Sequence, residues 1–95
     1  MEPNLKIGAV VLSKSGRDKG RYFIICKIIS AEYVLLVDGY IHKIAKPKLK
    51  KVKHITFTKD ICDAIAEKFE KNKNVFDSEI FSALKTFNIS EPAND

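Results

Sequence analysis

The chain has 95 residues, of which 45% are apolar, and a formal net charge of +5. This length fits one small domain, and no apolar run is long enough to span a membrane. Residues 1–4 lack the basic and apolar regions of a signal peptide, and Cys26 and Cys62 lie in apolar patterns that suit reduced thiols, so we expect a cytoplasmic protein.

The charge is unevenly distributed along the chain. Residues 1–58 contain 12 basic and 4 acidic residues, whereas residues 59–95 contain 5 basic and 8 acidic residues. The first part therefore has the charge of a surface that faces a polyanion, and the second part does not.

Two apolar runs near the N-terminus are joined by a polar loop. Residues 9–12 and 22–29 are rich in β-branched and aromatic side chains, and residues 13–21 between them contain Gly16 and Gly20. Such runs predict a β-hairpin with a long loop. The loop carries a concentrated positive charge from four side chains: Lys14, Arg17, Lys19 and Arg21.

This hairpin carries a resemblance to a known family. The residues GAVVLSKSGRDKGR, from Gly8 to Arg21, resemble a KOW motif, and a second similar segment contains Val37-Asp38-Gly39, Pro47 and Lys50. The resemblance covers residues 7–57 and is to the KOW-containing large-subunit ribosomal proteins of archaea and eukaryotes and to short bacterial KOW proteins. It implies a small SH3-like barrel, RNA binding, and ribosomal RNA or ribosomal proteins as partners.

The next segments predict three more strands. Residues 33–37 are apolar on both faces, Asp38-Gly39 is typical of a two-residue hairpin turn, and residues 40–44 and 54–57 follow as strands four and five. Five short strands without room for crossover helices predict a closed antiparallel barrel over residues 1–58. The parity of Arg21 and Lys27 places Tyr22, Ile24, Cys26 and Ile28 inside the barrel and Phe23 and Ile25 outside.

A helical period begins near Thr58, the expected N-cap of a first helix with Ile61, Ile65 and Phe69 on one face. A second helix is expected from Asp77 or Ser78 to about Asn88, with Ile80, Phe81, Leu84 and Phe87 as its apolar face. We expect residues 59–90 to form a helical hairpin packed over Phe23 and Ile25, with Cys26 in the barrel, Cys62 in the helix–barrel interface, and a flexible tail at 91–95.

A second basic cluster follows the predicted fourth strand. It has no acidic residue from Tyr40 to Phe57 to offset it, which favours phosphate binding over a merely solvated loop. Tyr40 and Tyr22 are the aromatic rings available for base stacking, although a core or turn role is equally consistent with their positions. The complete candidate RNA-binding set is Lys14, Arg17, Lys19, Arg21, His42, Lys43, Lys46, Lys48, Lys50, Lys51 and Lys53. Because the loops at one end of a small barrel converge, the two basic clusters can share one edge of the molecule.

No pattern in the sequence indicates catalysis. His42 and His54 have no nucleophile or carboxylate at short spacing, and the two cysteines lack the paired spacing of a zinc site. We therefore predict a non-enzymatic RNA-binding protein without cofactor, metal, membrane or small-molecule substrate. The alternative is a protein-binding KOW adaptor of the transcription or translation machinery.

Overall fold

The computed structural model describes residues 4–88, so the predicted tail at 91–95 lies outside the described part. Within these residues the chain forms five strands, a short 3-10 turn and two helices. In chain order these are β1 (Ala9–Ser13), β2 (Tyr22–Ile28), β3 (Tyr33–Val37), β4 (Lys48–Lys51), the 3-10 turn (Val52–His54), β5 (Ile55–Ile61), α1 (Asp63–Glu70) and α2 (Asp77–Asn88).

The five strands form one antiparallel sheet in the order β4-β3-β2-β1-β5. β4 and β5 are its two edges and do not pair with each other, so the sheet is open. The molecule is thus a small mixed α/β protein, and the prediction of five antiparallel strands and two helices is confirmed. Within residues 4–88, neither helix has the length and apolar character needed to cross a membrane.

The predicted strand at residues 40–44 is wrong. The buried carboxylate of Asp38 accepts hydrogen bonds from the backbone amides of Tyr40 (3.0 Å) and His42 (2.8 Å) through Oδ1. Those amides are held by a side chain instead of a strand ladder, and the segment becomes a wide loop. The fourth strand begins only after Pro47, at Lys48.

The predicted start of the first helix at Thr58 is also wrong, because β5 continues to Ile61 and Cys62 precedes α1. Thr58 lies at an irregularity in the β1–β5 pairing. Its hydroxyl donates to the carbonyl of Val10 (2.8 Å) and accepts from the amide of Asp60 (3.1 Å). These bonds satisfy groups that the irregular register leaves out of the ladder.

One face of the sheet encloses an apolar cluster that we call the sheet cluster. Phe23 and Ile25 are fully buried in it, so their predicted outward orientation is wrong. The reason is a bulge in β2 between Ile25 and Lys27. The bulge interrupts the alternation of side chains between the two faces of the strand, so the shared parity of Arg21 and Lys27 does not show which residues face outwards. The buried members of the sheet cluster are Ala9, Val11, Phe23, Ile25, Val34, Leu36 and Ile55.

The opposite face carries the helices, through a second cluster that we call the helix cluster. Ile80 and Leu84 of α2 are fully buried there, and burial of each contributes about 1.5–3 kcal/mol. Its buried members are Val10, Ile24, Val37, Ile65, Ile80 and Leu84. The helices therefore rest on Ile24 and its neighbours rather than on Phe23 and Ile25.

Both cysteines are free and pack against the helix cluster. The prediction that Cys26 lies inside the barrel is therefore wrong. Burial raises the pKa of the Cys26 thiol to about 11. Burial, followed by the charges of Asp60 and Asp63, also raises the pKa of Cys62. Both thiols are thus held in the protonated, poorly nucleophilic form at neutral pH.

Candidate nucleic-acid interface

The loop between β1 and β2 extends the hairpin as an ordered arch. The amide of Ser13 donates to the carbonyl of Arg21 (2.9 Å), and the amide of Gly20 donates to the carbonyl of Ser13 (2.9 Å). These bonds close the base of the loop. Lys14, Arg17 and Lys19 are exposed along it.

This loop meets the second basic segment in space. The Nζ of Lys50, on β4, donates to the carbonyl of Ser15 at 2.8 Å. The amide of Lys14 donates to the carbonyl of His54 at 2.8 Å. These two contacts join residues 35 and 40 positions apart along the chain. The two basic segments therefore lie side by side, as the sequence predicts for loops at one end of a small sheet.

The lysines of the second segment lie along one edge of the molecule. Lys43 and Lys46 are in the β3–β4 loop, and Lys53 is in the 3-10 turn. Between them, β4 contributes Lys48, Lys50 and Lys51 at the sheet edge. All six are exposed except Lys50, which is half-buried against the loop. We call Lys14, Lys50, Lys51, Lys53 and His54 the basic edge.

The charge of this region is not neutralised within the part of the chain that the structure describes. On the helices, Lys68 pairs with Glu79, and Lys71 pairs with Glu67 at 2.7 Å. By contrast, no carboxylate of residues 4–88 forms an ion pair with any of nine basic side chains: Lys14, Arg17, Lys19, Lys43, Lys46, Lys48, Lys50, Lys51 and Lys53. Such a cluster costs electrostatic energy that a bound polyanion would offset.

His54 lies in the positive electrostatic field of the neighbouring lysines. Its pKa is lowered, first by desolvation and then by the positive charges of the four lysines of the basic edge: Lys53, Lys50, Lys51 and Lys14. The charged imidazolium is therefore disfavoured in the free protein. A bound anion would offset the part of this penalty that comes from the lysine charges.

The lowered pKa of His54 predicts pH-dependent binding of polyanions. Phosphates that offset the lysine charges raise the His54 pKa, so the complex takes up a proton and affinity increases as the pH falls from 8 towards 5.5. Each unit of pKa rise gives up to about tenfold tighter binding below the free-state pKa. RNA titrations at constant ionic strength should show this pH dependence of the affinity in the parent protein but not in the His54→Gln variant. An equal pH dependence in both proteins would contradict the placement of phosphates at His54.

Two predicted contact residues already have partners in the fold. The guanidinium Nη2 of Arg21 lies 3.4 Å from Oδ2 of the buried Asp38. The Nε2 of His42 lies 3.0 Å from Oδ2 of Asp18, which is also buried, and its ring packs on Phe23 with centroids 5.8 Å apart. The structure thus separates Arg21 and His42 from the exposed basic side chains and gives them a part in holding the two loops together.

The two candidate aromatic rings differ in exposure. Tyr22 is half-buried and packs on Phe87, with centroids 5.1 Å apart, and its backbone is held by the Asn88 side chain. Tyr40 is 63% exposed and lies beside Phe81, with centroids 5.9 Å apart. Tyr40 is therefore the ring available to a ligand, and Tyr22 is part of the helix–sheet packing.

The sequence did not reveal the ion pairs of Asp18 and Asp38 or the Tyr40–Phe81 contact. Asp38 gave one usable signal, since an acidic residue directly after an apolar strand and before Gly39 is typical of a side chain that caps a turn. Tyr40 lies in the β3–β4 loop and Phe81 lies in α2, and no local sequence pattern links these two segments. Among the described residues, no group of three or more His, Cys, Asp or Glu side chains is arranged to hold a metal ion.

No protein-family model matches the chain, and no curated protein matches it.

Proposed function

We propose that this chain is a small RNA-binding protein that holds RNA phosphates on the basic edge and the adjoining β1–β2 loop. The observation that carries the proposal is the meeting of two uncompensated basic segments, through the Lys50–Ser15 and Lys14–His54 hydrogen bonds. Lysines act on phosphates as point charges, so this surface favours affinity over sequence readout. The role is non-enzymatic and cytoplasmic.

The proposal includes membership of the KOW group and an SH3-like barrel arrangement of the sheet. Two observations support the arrangement: the sheet cluster draws side chains from β1, β2, β3 and β5, and Lys50 on one edge strand reaches the β1–β2 loop. The second contact favours a curled sheet, because β4 and β1 are not neighbours in the strand order. The KOW pattern from Gly8 to Arg21 covers the hairpin whose loop forms half of the basic surface.

RNA is a better ligand than duplex DNA for this surface. Proteins that read the major groove usually place a basic helix in it. Here the nine unpaired basic side chains of the two basic segments lie on loops, an edge strand and the 3-10 turn, whereas both helices begin with acidic residues, Asp63 on α1 and Asp77 on α2. Recognition of RNA by its backbone and unpaired bases fits such a surface, and the KOW resemblance makes ribosomal RNA and ribosomal proteins the proposed setting.

Fluorescence anisotropy with single-stranded RNA at graded salt tests the proposal. If about five phosphates are neutralised, the log–log slope of affinity against salt is roughly −3.5. Affinity then falls by on the order of a hundredfold between 50 and 200 mM salt. Replacing Lys51 and Lys53 with Ala removes two of these charges without touching the Lys50–Ser15 bond, and should flatten the slope by about 1.4.

The matched control replaces Lys71 and Lys73 with Ala. This variant loses as many positive charges as the Lys51/Lys53 variant, but from exposed residues that follow α1. It should therefore keep the salt slope of the parent. If the Lys51/Lys53 variant also keeps the parent affinity and slope, the proposal is wrong. The lysines of β4 would then serve only to protect an exposed sheet edge from pairing with other chains.

A second candidate function is that of a protein-binding adaptor. Ile41 is 54% exposed and Leu49 is 55% exposed, and both line a groove with Pro47. Exposed apolar side chains of this kind often mark protein contacts. A purified protein that has no RNA affinity at 150 mM salt, and whose lysine variants behave like the parent, would favour this candidate.

A further inference from the structure

A cleft between the β3–β4 loop and α2 contains an unused aromatic surface. Tyr40 is 63% exposed and Phe81 is 45% exposed, although both rings are large and apolar. The cleft is lined by Arg21, Tyr40, Phe81, Leu84, Lys85 and Asn88. Exposed aromatic rings beside basic side chains are the elements with which proteins hold unpaired bases and their phosphates.

The charges at this cleft are suited to a phosphate. Arg21 and Lys85 both line it, and within residues 4–88 Lys85 forms no ion pair. Within residues 4–88, the carboxylate that pairs with Arg21 is Asp38, which offsets the Arg21 charge, so the charge of Lys85 leaves the cleft net positive. An apolar cleft with a positive rim is complementary to a nucleotide.

The guanidinium of Arg21 retains hydrogen-bonding capacity. Its contact to Asp38, at 3.4 Å, is longer than the 2.7–2.9 Å that is usual for charge-assisted hydrogen bonds of this type. Its Nε–H is buried and is the one side-chain nitrogen or oxygen buried within the described residues that lacks a hydrogen-bond partner. Arg21 therefore has unused donor capacity beside the cleft.

The cleft also adjoins the proposed phosphate-binding surface. Ser15, which contacts Lys50, and Arg21, which lines the cleft, belong to the same β1–β2 loop. They are six positions apart, a span of at most about 22 Å. One RNA strand can therefore follow the loop from the basic edge to the aromatic rings.

We infer that Tyr40 and Phe81 form a stacking subsite for one unpaired RNA base, with Arg21 and Lys85 contacting the adjoining phosphate. The inference rests on the proposed RNA-binding function. The ring centroids are 5.9 Å apart and the planes are tilted by 55°. A base between them would need about 7 Å, twice the contact distance, so the base stacks on the outside of the pair. A base locked in a duplex cannot do this, and the subsite thus selects single-stranded RNA.

The test compares a single-stranded RNA with a duplex of the same sequence by anisotropy. Tyr40→Ala and Phe81→Ala should each weaken single-strand binding by about tenfold. Both should leave duplex affinity and its salt slope unchanged, because the basic edge is intact. The matched control is Phe76→Ala, which removes a ring that is 61% exposed and does not line the cleft. It should bind both RNAs like the parent.

Tryptophan fluorescence of a Phe81→Trp variant measures stacking directly, because the chain contains no other tryptophan. This variant should keep single-strand affinity, and its fluorescence should be quenched by the single strand but not by the duplex. The subsite is overturned if both alanine variants bind the single strand as tightly as the parent, or if the tryptophan is not quenched. An apolar peptide would then be the better ligand for the cleft. A parent that binds neither RNA would instead overturn the proposed function itself, and the subsite with it.

Discussion

Replacing Gly39 with Ala is expected to destabilise the protein by about 3–5 kcal/mol, the sum of a backbone and a steric penalty. Gly39 has φ +75°, a conformation that residues with a Cβ rarely adopt. A Cβ there would lie 2.2 Å from the carbonyl oxygen of Asp77 and 2.8 Å from the amide of Phe81. Both atoms belong to the backbone of α2, so the whole helix would have to move.

That movement would disturb the packing of α2 on the sheet, where Ile80 and Leu84 are fully buried. Thermal unfolding should show a decrease in Tm of about 15 °C or more. Gly20→Ala is the matched control, because Gly20 also has a positive φ (+91°) but has no atom within 4 Å of the added Cβ. It should cost about 1 kcal/mol, or roughly 5 °C. Equal losses in the two variants would show that α2 does not rest on Gly39.

Replacing Asp38 with Ala should have the second large effect, a loss of about 3–4 kcal/mol. The side chain of Asp38 is completely buried. Its removal leaves the amides of Tyr40 and His42 without their acceptor and the Arg21 charge without its partner. Urea unfolding should show a lower midpoint with an unchanged slope, because the folded state stays compact.

Asp38→Asn separates the two parts of this cost. The asparagine Oδ1 can still accept from the Tyr40 and His42 amides, while the charge that faces Arg21 is lost. We expect a loss of about 1–2 kcal/mol. If Asn is as damaging as Ala, the ion pair rather than the turn dominates the stability of this loop. If neither substitution lowers the midpoint, the role that we assign to Asp38 is wrong.

Strands and helices whose hydrophobic pattern is regular over several residues could be predicted from that pattern alone. β1, β3 and α2 lie within one residue or so of the predicted spans, and the count of five antiparallel strands is confirmed. The proximity of the two basic segments also followed from the sequence, because hairpin loops at one end of a small sheet converge.

The remaining features depend on single side chains and on tertiary contacts. The bulge near Cys26 reverses the two faces of β2, and no residue in that apolar run signals it. Asp38 converts a hairpin signal into a wide loop, because its carboxylate accepts hydrogen bonds from the amides two and four residues further along the chain. The Tyr40–Phe81 cleft exists only because α2 packs against the loop that begins at Gly39.

Amide chemical-shift mapping during an RNA titration tests the central claim most directly. The protein is labelled with ¹⁵N and titrated with the single-stranded RNA at low salt. We expect shift changes in residues 14–21 and 43–54, where the uncompensated basic side chains lie. We expect none in α1 (Asp63–Glu70), where Lys68 is paired with Glu79 and Glu67 is paired with Lys71. Shift changes concentrated on α1, with residues 14–21 and 43–54 unaffected at saturating RNA, would contradict it.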